Sequence, residues 1–190
     1  MYYLEDNDVG SESAGSFGLM PSGWFYQNML TISRMHTEYT LAAVDEKAHR
    51  IYPAISEKGT QRVAGLSRGP YTVFARMLLP ALEKAVQKSA RMQTYLDATR
   101  VGCGVERYRL ANGKLPETLD ALAPRYISVI PNDVIDGKPL KYRPDNDRGY
   151  IIYSVGWNQT DDGGQVIWIK HKEESRADVN KGDWVWFMKG

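Results

Sequence analysis

The residue types most often used for chemistry are scattered along this chain. His36, His49 and His171 lie far apart in sequence. His36-Thr37-Glu38 does not make a ligand pair, because adjacent helix positions face different ways. A zinc hydrolase would need all three imidazoles to converge from two loops and a helix, so His36 is expected partly buried on a helix and the others solvated. Cys103, between Gly102 and Gly104, has no histidine nearby in sequence to activate it. It is expected to be a small packed residue that lets another element approach closely. No glycine-rich phosphate loop, Gly-x-Ser-x-Gly elbow or His-Glu-x-x-His motif occurs. Asp161-Asp162-Gly163-Gly164 sets two carboxylates where glycines let the backbone turn. On its residues alone it is either an exposed turn or an oxygen-rich cation loop. With no nucleophile, base and orienter at readable spacing, the expectation is a protein that is not an enzyme.

Two surfaces offer recognition rather than catalysis. Trp157, Trp168, Trp184 and Trp186 gather near the end of the chain, with Tyr142, Tyr150 and Tyr153 close by. Alternation along strands would send half of them inward and half outward. Core packing is the expected use of most, and an outward cluster would suit a peptide or glycan. A basic helix face, carrying Arg76, Lys84, Lys88, Arg91, Arg100, Arg107 and Arg109 against Glu83, Asp97 and Glu106, reads as a solvated face.

These residues need elements to hold them. From Ser22, the positions Phe25, Met29, Ile32, His36 and Tyr39 recur every three to four residues and predict a helix. Leu41, Val44, Ala48 and Ile51 continue or break it before Pro53. Residues 56–69, polar and glycine-containing, read as a loop. Between Tyr71 and Leu110 a helical period follows, through Leu78, Leu79, Leu82, Val86, Ala90, Gln93, Leu96, Thr99, Cys103 and Leu110. Pro80 kinks that helix or starts a new one, leaving about 30 residues, about 45 Å, from Ala81. Asn112-Gly113 supplies its stop. Leu115 to Leu122 reads as a short helix with proline in its first turn. Leu140–Arg143 and Tyr150–Val155 then flank a turn-rich loop as a hairpin, with further strands at Val166–Ile169 and Asp183–Phe187. Helices first and a small antiparallel sheet afterwards predict an α+β fold, a long helix packed on the sheet with an added N-terminal helical region.

Composition bounds the function. The 190 residues are 43% hydrophobic and 25% charged, with 24 basic and 23 acidic side chains, which gives no global attraction to nucleic acid. The longest apolar run is Met77 to Leu82, far short of the roughly 20 residues needed to span a bilayer. No signal peptide is visible, and one cysteine excludes an internal disulfide. Residues 1–21 are expected to be a flexible acidic lead-in, with Glu5, Asp6, Asp8 and Glu12 and no lysine or arginine, or a loop of a longer parent chain. Residues 22–70 would be an N-terminal helical extension and 71–190 the α+β domain.

Three blocks in order carry a resemblance. They are Glu106 to Leu122 with its Leu115-Pro116 exit, Pro131-Asn132-Asp133 through Gly137-Lys138-Pro139 to Tyr142, and Tyr153-Ser154-Val155-Gly156-Trp157-Asn158 through Gly164, closing at Gly182-Asp183-Trp184-Val185-Trp186. Residues 98–186 resemble the periplasmic domain of the major pseudopilins of type II secretion systems. The resemblance implies a pilin-like fold, a structural or interaction role, protein partners, an extracytoplasmic location, and an anchor carried by a parent chain. It also implies a calcium site: Asp161 and Asp162 in the loop, Asp183 at the closing position, and Asn158 and Gln165 adding oxygen. This chain departs from the family by inserting Lys170 to Arg176 before the closure, and by the long segment that precedes the matching part.

Overall fold

The helical period after Tyr71 forms one element. In a computed structural model that describes residues 21–145, 149–171 and 174–188, one helix of 40 residues, Val73–Asn112, about 60 Å long, includes Pro80 in its interior, so no new helix starts there. Here it is α3. Proline removes a backbone donor and costs about 3 kcal/mol in a helix interior. The turns around it are held from outside: Met35, Val63, Ala75 and Leu79 form one buried cluster. Gly113, with φ 71°, ends α3 and donates its N–H to the Arg109 carbonyl.

The face that α3 buries differs from the apolar spacing. Ala75, Leu79, Val86, Ala90, Thr94, Ala98, Val101 and Val105 are buried, whereas Leu78, Leu96 and Leu110 are exposed, Leu110 at 79%. From Ala90 onward small residues face the core because other elements come close there, and Leu78, Leu96 and Leu110 are left outside. Cys103 is exposed, correcting the packed role expected for it. Close approach belongs to Gly102, where a Cβ would lie 2.6 Å from Cη2 of Trp186. Gly102→Val is therefore expected to lower stability by about 2–3 kcal/mol through overpacking, read as a drop in thermal midpoint. Cys103→Ser should stay within about 0.5 kcal/mol of wild type. A Gly102→Val chain that melts like wild type would refute this packing.

The N-terminal helices lean on the first half of α3. Helix α1, Ser22–Met35, passes into a π-helical turn at His36–Leu41, so the predicted helix stops short of Tyr39 in regular form. Two residues each of β1, Val44–Asp45, and β2, Arg50–Ile51, then make a small antiparallel pair. Helix α2, Pro53–Ala64, replaces the loop expected over 56–69. Gly59 misled the reading: it sits inside α2 because a Cβ there would lie 2.8 Å from both Tyr39 Cβ and Glu83 Oε1. A close helix crossing, not a turn, selects that glycine.

The second half of α3 lies on the sheet. Strands β3, Lys141–Asp145, β4, Gly149–Ser154, and β7, Trp184–Met188, form an antiparallel sheet in the order β3-β4-β7. Ala98, Val101 and Val105 of α3 meet Leu140, Tyr150 and Ile152 there. The Leu115–Leu122 segment forms only a 3-10 turn, Leu119–Leu122, whose Leu119 and Leu122 plug this cluster. Strand β5, Val166–His171, pairs with β6, Glu174–Gly182, so the described part of the inserted stretch, 170–171 and 174–176, lies on two paired strands. Between the two halves, Ile51, Val86, Ala90, Ile135, Trp157 and Trp184 share a cluster, which draws residue 51 into the centre of the protein. The fold is α+β. The expected lead-in lies outside the described residues except for Pro21, as does the hairpin turn at 146–148. No described helix is long and apolar enough to cross a membrane.

Candidate functional site

The loop from Gly156 to Gln165, between β4 and β5, gathers four of the five residues expected to bind a cation, and Asp183 closes it from below. Gly156, with φ 69°, starts it in the left-handed region, where a Cβ would collide with the Gly182 carbonyl oxygen. Gly163 and Gly164 turn it back with φ 69° and 84°. The loop is held by its own acids. Asp183, buried at 3% exposure, accepts the Gly164 N–H at 2.6 Å on Oδ2 and the Asp162 N–H at 3.3 Å on Oδ1. The Asp183 N–H donates to the Gln165 carbonyl at 2.9 Å. Asp161 Oδ1 accepts the Gly163 N–H at 3.1 Å, and its Oδ2 lies 3.6 Å from the Lys141 ammonium. Asn158 Nδ2 donates to Asp162 Oδ2 at 3.1 Å, and Arg143 donates to the Gly163 carbonyl at 3.1 Å.

Electrostatics in this loop oppose ionisation of its central acid. Burial pushes the Asp183 carboxyl above the ordinary value of 3.8, two backbone N–H groups pull it down, and the Asp161 and Asp162 charges push it up again. Burial, followed by the Asp161 and Asp183 charges, also raises Tyr153.

Comparisons with known protein families, curated proteins and solved structures find no match. The site must be judged on its own chemistry. Its donors are hard oxygens throughout, carboxylates and glycine carbonyls, which suit calcium. Its arrangement is that of a hydrogen-bonded loop: each aspartate faces an internal donor, the Gln165 side chain is exposed, and among the described residues no three His, Cys, Asp or Glu side chains converge as a metal cluster. Calcium binding would require the Asp161 and Asp162 carboxylates to exchange Lys141 and Asn158 for the ion.

The remaining candidates are spread out. His36 is half-buried at the end of α1, with Nδ1 lacking a partner, and His49 occupies the β1–β2 turn with φ 50°. The His171 side chain lies outside the described residues. Trp157 and Trp184 are buried and stacked at 6.4 Å, and Trp186 packs on Gly102, whereas Trp168 and Phe187 are each 62% exposed. Two buried residues that organise the fold, Asp133 against the end of β4 from which the loop departs and Asn28 at the start of α3, had no local signal. Asp133 ties the chain before β3 to the end of β4, and Asn28 ties α1 to α3. Each is an ordinary polar residue in sequence, with partners 21 or more positions away.

Proposed function

We propose that this chain is a non-enzymatic structural or interaction module of the pseudopilin kind, working outside the cytoplasm beside a type II secretion or type IV pilus-like system. The observation that carries this reading is the second half of α3 lying across the β3-β4-β7 sheet, with the loop after β4 fastened to Asp183 immediately before the last strand. That is the order of the three blocks of the resemblance, now tied together in space. Cross-linking of a tagged chain in native cells tests it. Recovery of pilus-like fibre or secretion-platform subunits is expected, and recovery of none of them would overturn the reading.

Calcium is part of this proposal. Asp161, Asp162 and Asp183 would hold the ion, with Asn158 and Gln165 contributing oxygen. A ligand present at 100 times its Kd stabilises the folded state by about 2.7 kcal/mol, which for a chain this size raises the thermal midpoint by roughly 5–10 °C. Millimolar calcium added to EDTA-stripped protein is expected to give such a rise, and Asp161→Ala and Asp183→Ala to abolish it. Asp183→Ala also loosens the loop, so the quantity to compare is the calcium-dependent increment within each variant. An increment that survives in Asp161→Ala, or its absence from wild type, would remove calcium from the proposal. The exposure of Trp168 and Phe187 favours a second reading, an extracytoplasmic domain that binds a peptide or glycan through surface aromatics.

A further inference from the structure

On the far side of Trp157 from the loop's aspartates, α2, α3 and the β5–β6 pair line a groove of about 860 Å³. Its walls are braced. Thr60 of α2 donates to the Glu83 carboxylate of α3, and Gln87 of α3 donates to Asn180 Oδ1 of β6 at 2.7 Å. The β5–β6 register shifts between Val166 and Trp168, so the chain after Ala177 leaves its regular pairing and leans over the groove, where the Val179 carbonyl accepts the Trp184 indole N–H at 3.2 Å. Trp157, Ile169 and Val179 supply apolar lining.

The charges of this groove are unevenly satisfied. Of its three acids, Glu83 is held by Thr60, Asp178 accepts the Asn180 N–H at 3.0 Å, and Glu57 is exposed on α2. Its four cations are Lys84, Lys88 and Arg91 on α3 and Arg176 on β6. None of them takes part in the ion pairs found among the described residues, Arg109–Glu106 and Lys141–Asp161. Arg91 is nonetheless held in place, donating to the Tyr95 hydroxyl at 2.9 Å with its guanidinium over that ring.

Spacing identifies what these cations fit. Lys84 and Lys88 are one step of four along α3, about 6 Å at 1.5 Å per residue, and Arg91 lies about 4.5 Å further. Alternate side chains of an extended strand project to the same side about 6.6 Å apart. The stretch of α3 that lines the groove, Pro80 to Arg91, spans about 16 Å, the length of about five extended residues. We propose that the groove binds an extended acidic peptide of a partner protein, with carboxylates at alternate residues on Lys84, Lys88 and Arg91 and the intervening apolar side chains on Ile169 and Val179. The proposal is independent of the pseudopilin reading, since it uses none of Asn158, Asp161, Asp162, Gln165 and Asp183 and neither the exposed Trp168 nor Phe187.

The test is fluorescence anisotropy with the full chain and fluorescein-labelled acetyl-Glu-Leu-Glu-Leu-Glu amide, with the Lys-Leu-Lys-Leu-Lys peptide as the opposite charge. Saturable binding of the acidic peptide alone is expected, weakening as salt rises from 50 to 300 mM. The double variant Lys84→Glu/Lys88→Glu should weaken it at least about tenfold. Arg100→Glu/Lys114→Glu, which makes the same change in net charge on exposed residues outside the groove, should change it by less than about threefold. Amide shifts of the wild-type chain on titration should cluster at residues 83–91 and 176–180, a readout that needs no variant to fold. The proposal is overturned by equal weakening in both double variants, by shifts elsewhere, or by no saturable binding. Saturation by a heparin-derived tetrasaccharide, with the peptide failing to compete, would also overturn it and assign the groove to a glycan.

Discussion

Asp133→Ala is expected to destabilise the protein by about 4 kcal/mol, measured by urea unfolding at neutral pH, because it strands three buried donors at once. Asp133 is 2% exposed. Its Oδ1 accepts the Ile135 N–H and the Ser154 hydroxyl, both at 2.9 Å, and its Oδ2 accepts the Val155 N–H at 3.0 Å. Its backbone N–H donates to the Lys138 carbonyl at 2.7 Å, and its carbonyl accepts the Gly137 N–H at 2.9 Å. One residue thus closes the turn before β3 and fixes the last residues of β4, from which the aspartate loop departs. Ser154→Ala removes one donor from Asp133 and also leaves the Gly156 N–H, which Ser154 Oγ accepts at 3.1 Å, without a partner, so it should cost about 2 kcal/mol. A pH signature accompanies the carboxylate. Burial is the largest influence and raises its pKa above 3.8, more than its hydrogen bonds lower it, with the Asp136 charge adding to the rise. Between 3.8 and that raised value the folded chain holds more proton than the unfolded chain. Stability therefore falls as pH rises through this window and levels off above it. Asp133→Asn should lack that part of the slope, so the difference between wild type and Asp133→Asn, followed from pH 7 down to pH 4, isolates it. Parallel curves would mean that Asp133 is not a burial-strained acid.

What the sequence discloses depends on how locally each feature is determined. The stop of α3 at Gly113 and the β3–β4 pairing are set by residues adjacent in the chain, and both are legible. Helix α2 is not, because Gly59 looks like a breaker until Tyr39 and Glu83 are seen pressed against it from other elements. The buried stripe of α3 is legible at Leu79, Val86 and Ala90 and misread beyond them for the same reason. Leucines mark the apolar positions of an isolated helix, whereas this helix buries its small residues, Ala90, Ala98 and Gly102, where Trp186 and neighbouring layers come close. Strand β6 is missed because its charged, polar run, Glu174 to Lys181, has no alternating apolar face.

The candidate site divides along the same line. Asp161, Asp162, Gly163 and Gly164 are contiguous, so their turn and their oxygen-rich character are readable together. That Asp183 closes the same loop is readable only through the ordered resemblance, since it lies 18 positions beyond Gln165 and the link is made by its carboxylate and N–H bonding loop backbone groups. The groove has no sequence signature at all. Lys84, Lys88 and Arg91 look like an ordinary solvated helix face until α2 and the displaced part of β6 rise on either side of them.

Asn28→Ala is the second large effect, with an expected loss of about 3 kcal/mol. The first turn of α3 has no side-chain cap from its own flank: Thr72, at the N-cap position, bonds elsewhere, to the Ser67 carbonyl. The cap comes from α1. Asn28 Oδ1 accepts the Phe74 N–H at 2.9 Å and the Ala75 N–H at 3.1 Å, the second and third residues of α3. Its amide nitrogen donates to the Trp24 and Pro70 carbonyls, each at 2.7 Å. An asparagine at 1% exposure thus uses both amide hydrogens and accepts twice, and the stacked Phe25–Phe74 and edge-on Trp24–Tyr71 pairs lie around it. Removing an N-cap costs about 1 kcal/mol, and the loss of the Asn28 amide from the part-buried Trp24 and Pro70 carbonyls adds the remainder. Asn28→Asp preserves the acceptors, and a carboxylate at a helix N-terminus is electrostatically favoured. It also confronts two carbonyls with no donor, so it should recover only part of the loss. Hydrogen exchange separates the cap from general weakening. In Asn28→Ala, the Phe74 and Ala75 amides should exchange faster than global unfolding allows, while those of Val101 to Val105 should report only the change in overall stability. If Phe74 and Ala75 keep wild-type protection, relative to the stability of the variant, then α3 is capped by something other than Asn28, and the joint between α1 and α3 must rest on the aromatic pairs and the packing of Met35 on Ala75 and Leu79.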